Sequence, residues 1–230
     1  GGSMHLLDKS VGFYGSVPIV AGTVPIAVGA ALASKLQKKK EVVISYFGDG
    51  ASEEGVVHES FNLASRYKLP ILFVVENNLF SSHLHIDERQ PSDSIARFAH
   101  ANFIPYRILD GNDVTSISQA SKELINDCKN NCGPALIEVV TYRWYGHVDW
   151  REDIDVGINR SSDDLKLWKE RDPIARLVKA MQEKFPNVQP FLDKISSDIK
   201  NTSEKNWEMA FKDPYPSESD LIDFVYSSPK

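Results

Sequence analysis

Three short runs constrain this chain most: residues 41–47 (EVVISYF), 71–75 within PILFVVENN, and 134–142 (PALIEVVTY). Each is β-branched and aromatic and lacks the polar alternation of a half-solvated strand, so each predicts a strand buried on both faces. The text between them has helical spacing. Val57, Phe61 and Ala64 mark a helix over 54–67, and further helix patterns occupy 92–99 and 114–128, with a weaker strand at 106–109. Residues 25–37 are small and apolar almost all the way round, as in a helix packed on every side. Strand and helix alternate, which predicts an α/β fold: a mostly parallel sheet with helices on both faces.

After Arg143 the character changes to polar text with interspersed aromatics, followed by helix patterns over 163–169, 173–184 and 191–211. Asp172-Pro173 has the form of an N-cap with proline at the first helical position. The expected organisation is an α/β domain over 1–160 and a helical C-terminal extension over 161–230.

Composition excludes several classes. The formal net charge is −6, and the one basic run, Lys38 to Lys40 with Lys35 before it, is short and reads as a solvated loop, so no nucleic acid is expected as a partner. The apolar stretch 17–33 is interrupted by Pro18, Gly22, Pro25 and Gly29, which argues against a membrane span. The two cysteines, Cys128 and Cys132, are too few for a disulfide framework or a zinc site and are expected to be reduced in a cytoplasmic protein. No G-x-G-x-x-G follows a strand, which disfavours a nicotinamide-dependent oxidoreductase.

Ligands of parallel sheets bind beyond the carboxyl ends of the strands. Gly48-Asp49-Gly50, Asn77-Asn78 and the segment after Tyr142 should therefore meet at one edge. A helix start after Gly50 would offer backbone N–H groups to a phosphate, and glycine on either side of Asp49 would let the backbone come close. The carboxylate would repel that phosphate unless a divalent cation lay between them, and Mg2+ is a hard ion that takes oxygen ligands. Gly-Asp-Gly by itself fits an ordinary tight turn as well. Asn77-Asn78 shifts the balance, because the 26 residues between Gly50 and Asn77 are enough for one helix and one strand, so the Asn78 amide could join Asp49 on the ion.

At this spacing GDG and NN resemble the thiamine diphosphate motif. The flanking text, including GGSMHL, PIVAGTVPIAVGAALASK, ILDGNDV, GPALIEVVTYRWYGH and KERDPIARL, is similar to the alpha subunit of the E1 component of the 2-oxo acid dehydrogenases, from Gly1 to about Leu177. The resemblance implies the thiamine diphosphate-binding fold. It also implies Mg2+ held by Asp49, Asn78 and the carbonyl of Phe80, with the diphosphate met by Gly50 and Ala51. Pro18, Ile19 and Val20 would line the aminopyrimidine, although the family usually has glycine where Pro18 stands. His147 would assist the diphosphate and the reacting substrate, where a side chain titrating near neutrality suits proton transfer. His5 would approach the substrate side, and Arg143 is a lesser candidate for charge neutralisation. His58 is expected to pack near the site rather than react, and His83, His85 and His100 to be solvated loop residues.

Family alpha subunits extend upstream of GGSMH, so the first domain is expected to be N-terminally incomplete, with GGSM native sequence. Val148 stands where mitochondrial members have a phosphorylatable serine, which excludes phosphorylation there. Trp150 and Arg151, in the loop 149–153, are read equally as pocket cover or as solvated loop. No glutamate candidate for the pyrimidine N1′ is present, since the family places it on a beta subunit. The expected assembly is an α2β2 heterotetramer with a beta-type subunit, serving a lipoyl-bearing E2 component and acting on a 2-oxo acid or related ketone. Two alternatives stand beside this reading: a two-part transketolase-like or acyloin-type enzyme, and a catalytically silent assembly paralogue.

Overall fold

A computed structural model describes residues 5–130, 132–148 and 160–221. The elements in chain order are α1 (Thr23–Leu36), β1 (Val43–Gly48), α2 (Gly55–Arg66), β2 (Ile71–Asn77), β3 (Phe80–Ser81), β4 (Leu84–His85), α3 (Ala96–Ala101), β5 (Tyr106–Asp110), α4 (Val114–Lys129), β6 (Ala135–Val140), α5 (Ser162–Glu170), α6 (Pro173–Lys184) and α7 (Gln189–Lys212). Two compact units divide the chain, 1–177 and 178–230.

In the first unit β1, β2, β6 and β5 form one sheet in that order, every pair parallel. From β1 to β2 the chain advances across the sheet, and from β5 to β6 it steps back. Right-handed crossovers in opposite directions put their helices on opposite faces. That is the arrangement found: α2 packs with α1 and α3 over Phe47, Ile71, Phe73, Val75 and Leu136, while α4 buries Ala120, Leu124 and Cys128 against Leu72, Val74, Ile137 and Val139. The α/β class with helices on both faces is thus confirmed. Phe61 of α2 meets Phe73 edge-on at 4.7 Å and Phe47 at 6.3 Å, and it anchors the centre of the first core.

Two expectations of complete burial are corrected. β2 is buried except at Glu76, but β1 is an edge strand whose Ile44 and Tyr46 are 39% and 60% exposed. Their face is the α4 face, and α4 lies over β2, β6 and β5. α1 buries Val24, Val28, Ala31 and Ser34 on one side only, leaving Ile26 58% exposed. The hairpin β3–β4, in the polar stretch after Asn77, was not expected. His85 lies in it, half-buried with its ring 5.0 Å from Phe80, and His100 is exposed but lies in α3, so neither is a loop residue, whereas His83 is exposed in the turn between the two strands.

The unit boundary falls beyond residue 160 because α5 and the start of α6 attach to the sheet domain. Leu165 is buried, Trp168 stacks on Tyr142 at 5.6 Å, and Asp110 at the end of β5 pairs with Arg171 at 2.9 Å and Arg176 at 2.8 Å. In the second unit, Val188 is buried between α6 and α7, Gln182 donates to Gln189 at 2.7 Å, and Trp207 packs edge-on against Phe211. Among the described residues no helix is long and apolar enough to cross a membrane.

Two measurements check this packing. Burial pushes the Cys128 thiol up to about 11, helped by the neighbouring Asp127 charge, whereas Cys132 is exposed. A thiol reagent at neutral pH should label Cys132 in the folded chain and reach Cys128 only after denaturation. Burial tends to raise the Asp110 carboxyl, but hydrogen bonds from Arg176, the Asn112 backbone and Arg171 outweigh it and hold the group below the usual carboxylate range. The unfolded value is about 4, so the stabilisation is present above about pH 4 and is lost as pH falls through the folded value. The stability gap between wild type and Asp110→Asn should close over that interval in acid titrations.

Candidate functional site

Asp49 follows β1 directly, and the chain then makes a four-residue 3-10 turn, Gly50–Glu53, before α2 begins at Gly55. The turn is served by the Asp49 backbone, whose carbonyl accepts from Ser52 N at 3.1 Å and Ser52 Oγ at 2.6 Å. An aspartate in an ordinary turn would use its carboxylate for such a bond. Here the Asp49 side chain makes no cap. It is 1% exposed, its Oδ2 accepts from Arg89, and its Oδ1 is buried with no hydrogen-bond partner. An unpaired carboxylate oxygen out of water costs about 1–3 kcal/mol or more. A divalent cation would remove that cost. Among the described residues no three His, Cys, Asp or Glu side chains gather as a metal cluster. An ion at Asp49 would therefore be completed by amide, carbonyl and solvent oxygens, as suits Mg2+.

The parallel register sets Gly48 beside Glu76, which brings Asp49 level with Asn77 at the sheet edge. Asn78 follows, and its Oδ1 accepts from Phe80 N at 3.1 Å, so two of the expected ligand residues share one turn. The β3–β4 hairpin then folds back over the 3-10 turn. A Cβ on Gly50 would lie 2.4 Å from Ser81 Oγ, so glycine is required there for the hairpin to close. Asp49, Gly50, Ala51, Asn78 and Phe80 are thus brought together.

Asn77, which sequence reasoning left without a separate role, organises this edge. Its Oδ1 accepts from Leu79 N at 3.1 Å, which helps hold Leu79 at φ 69°, a left-handed conformation that a leucine rarely adopts. Its Nδ2 donates to Asp93 O at 2.8 Å and Glu138 Oε1 at 2.7 Å. Glu138 is 1% exposed in the middle of β6 and also accepts from Ile95 N, Ala96 N and Ser94 Oγ at 3.0, 2.7 and 3.1 Å. A lone carboxylate within PALIEVVTY was the available signal, since a strand buried on both faces carries a charge only where partners are waiting. Arg89, lying in a polar stretch, offered no such signal.

The segment after β6 reaches the same edge. Arg143 donates to Tyr145 O at 2.8 Å and, through Nη2, to Ser82 O at 3.0 Å in the hairpin, which makes it a tether between the two loops. Phe80 meets Tyr142 edge-on at 5.9 Å. His147 lies four residues beyond Arg143 and is exposed. His58, in α2, packs edge-on against Phe98 at 4.5 Å. His5, Pro18, Ile19 and Val20 are exposed, and among the described residues no hydrogen bond or ion pair joins them to Asp49 or Asn78. The loop 149–153, with Trp150 and Arg151, and the GGSM start lie outside the described residues.

A model of the dehydrogenase E1 component family matches residues 1–219. The chain belongs to that family. Among curated relatives, the alpha subunit of acetoin:2,6-dichlorophenolindophenol oxidoreductase from Bacillus subtilis is 34% identical, over 99% of this chain and 67% of its own length. The pyruvate dehydrogenase E1 alpha subunit of Rhizobium meliloti is 32% identical, over 96% and 63%. The human testis-specific mitochondrial E1 alpha subunit is 34% identical, over 99% and 57%. The E1 chain described here therefore spans roughly three-fifths of the length of the relatives it matches.

The Glu138 network gives a direct test. Glu138→Ala leaves the Asn77 amide and the N–H groups of Ile95 and Ala96 short of an acceptor, so urea denaturation should show a loss of roughly 3–4 kcal/mol. A loss under about 1 kcal/mol would mean that water replaces the carboxylate.

Proposed function

We propose that this chain is the alpha-type subunit of a thiamine diphosphate-dependent 2-oxo acid dehydrogenase E1. With a beta-type partner, in an α2β2 assembly, it would decarboxylate a 2-oxo acid or related ketone and pass the acyl group to a lipoyl carrier on an E2 component. The observation that carries this reading is the unpartnered, buried Asp49 Oδ1 at the carboxyl edge of a parallel sheet, in a chain of the E1 family.

The residues present fit the cofactor's anchor. Asp49 and Asn78, with the Phe80 carbonyl, would hold Mg2+, and the backbone of Gly50 and Ala51 would face the diphosphate at the start of the 3-10 turn. Pro18, Ile19 and Val20, apolar and exposed before α1, would supply the wall for the aminopyrimidine. Thiamine diphosphate, when bound, supplies the nucleophilic carbon and the electron sink that decarboxylation of a 2-oxo acid requires. His147 would hold or deliver a proton at the substrate-derived oxygen, with His5 on the substrate side. The carboxylate for the pyrimidine N1′ comes from the partner, so the chain alone should not turn over substrate. The Bacillus relative, named for acetoin, keeps a ketone substrate within the same proposal.

Calorimetric titration of the chain and its partner with thiamine diphosphate, with and without Mg2+, tests the anchor. Asp49→Ala should weaken Mg2+-dependent binding by more than the about 10–100-fold that loss of a ligand's supporting contact costs. Unchanged affinity would return Asp49 to a turn residue. Acyl transfer to lipoamide, assayed over a panel of 2-oxo acids and acetoin, separates the dehydrogenase from an acyloin-type enzyme. Absence of any Mg2+-dependent cofactor binding would leave only an assembly role.

A further inference from the structure

We propose that Arg89 is the positioning residue of the cation site: it takes Asp49 Oδ2, balances the charge of the carboxylate, and keeps Oδ1 available as a one-oxygen ligand. The inference rests on the cofactor reading above. Arg89 follows the hairpin, outside every segment that the motif spacing marks. Its side chain is 6% exposed and is fixed by three acceptor residues. Nε donates to Leu84 O in β4 at 3.1 Å, Nη1 to Glu53 Oε1 in the 3-10 turn, and Nη2 to Asp49 Oδ2. Its backbone N–H donates to Ile86 O at 3.0 Å.

The acceptors are themselves held. Gln90 Nε2 donates to Glu53 Oε1 at 2.7 Å, and Gln90 Oε1 accepts from Arg97 Nη2 at 2.7 Å. Arg97 Nε donates to Ser94 O at 3.1 Å, and Ser94 Oγ donates to Glu138, which holds Asn77. One polar chain therefore runs from Asp49 through Arg89, Glu53, Gln90, Arg97, Ser94 and Glu138 to Asn77, joining the two segments that would supply the ion's ligands. A guanidinium anchored in this way is a strut, not a mobile stand-in cation that leaves when metal arrives. It uses one carboxylate oxygen and leaves the other, and that separates support from competition. Supporting contacts to a ligand typically change metal affinity by about 10–100-fold.

The two roles differ in sign. The experiment uses the assembled full chain and partner, titrating Mg2+ at fixed thiamine diphosphate and reading cofactor binding by calorimetry and by thermal shift. Arg89→Met should raise the Mg2+ needed for half-saturation by about tenfold or more, with cofactor binding restored at high Mg2+ and partial recovery in Arg89→Lys. An unchanged or lower Mg2+ requirement in a folded Arg89→Met would overturn the inference and make Arg89 a bystander or a competitor. Binding that excess Mg2+ fails to restore in both variants would also overturn it, by showing a structural loss. If wild type itself shows no Mg2+-dependent cofactor binding, the functional reading fails as well. A wild type that responds beside an unaltered Arg89→Met removes the positioning role alone.

Discussion

The interaction on which this edge of the molecule depends is the buried contact between Asn77 and Glu138, one at the end of β2 and the other in the middle of the neighbouring strand β6. Glu138 lies inside the sheet and can remain there only because four donors meet its two oxygens: the Asn77 amide, the Ser94 hydroxyl and the first N–H groups of the α3 region. Once that carboxylate is satisfied, Asn77 has a fixed orientation, and its remaining oxygen holds the backbone turn at Leu79. The position of Asn78, the closure of the hairpin over Gly50 and the contact of Phe80 with Tyr142 follow from this turn.

The sheet topology explains why the polar groups collect where they do. Parallel strands end at one edge, and every strand end here carries a polar or glycine residue: Gly48-Asp49, Asn77-Asn78, Asp110-Gly111, and Thr141, whose hydroxyl donates to Asn112 at 2.8 Å. The β1–β2 half of the edge presents a buried carboxylate oxygen without a partner. The β5–β6 half is closed, because Asp110 is paired with Arg171 and Arg176 and Asn112 donates to Arg171 O. Both halves are rich in charge, but among the described residues only the β1–β2 half has a buried carboxylate oxygen without a partner, which is why the ligand is proposed there.

Much of this organisation is legible in the order of the amino acids. The continuous apolar runs at 71–75 and 134–142 mark β2 and β6, the most deeply buried strands, because a strand covered on both faces has no other pattern available. The same reasoning misjudges β1 and α1, since apolar text records that a surface is covered without saying by what, and Ile44, Tyr46 and Ile26 are exposed in this chain. The hairpin escapes it because two strands of two residues each are too short for periodicity to register. GDG and NN mark Asp49 and Asn78 as a pair, whereas Arg89 lies 40 residues from Asp49 in sequence, within text whose polarity resembles that of a solvated loop.

The sequence by itself determined the class of sheet and the edge at which polar groups gather, and it marked Asp49 and Asn78 as the pair proposed for a hard cation, because strand burial and motif spacing are local properties of the chain. Tertiary structure alone decided that Asp49 is a buried carboxylate with one oxygen held by Arg89 and the other unmet, and that Glu138 links Asn77 to the α3 region. Desolvation and hydrogen-bond partnership depend on which distant segments fold over a residue, and no periodicity in the chain records that.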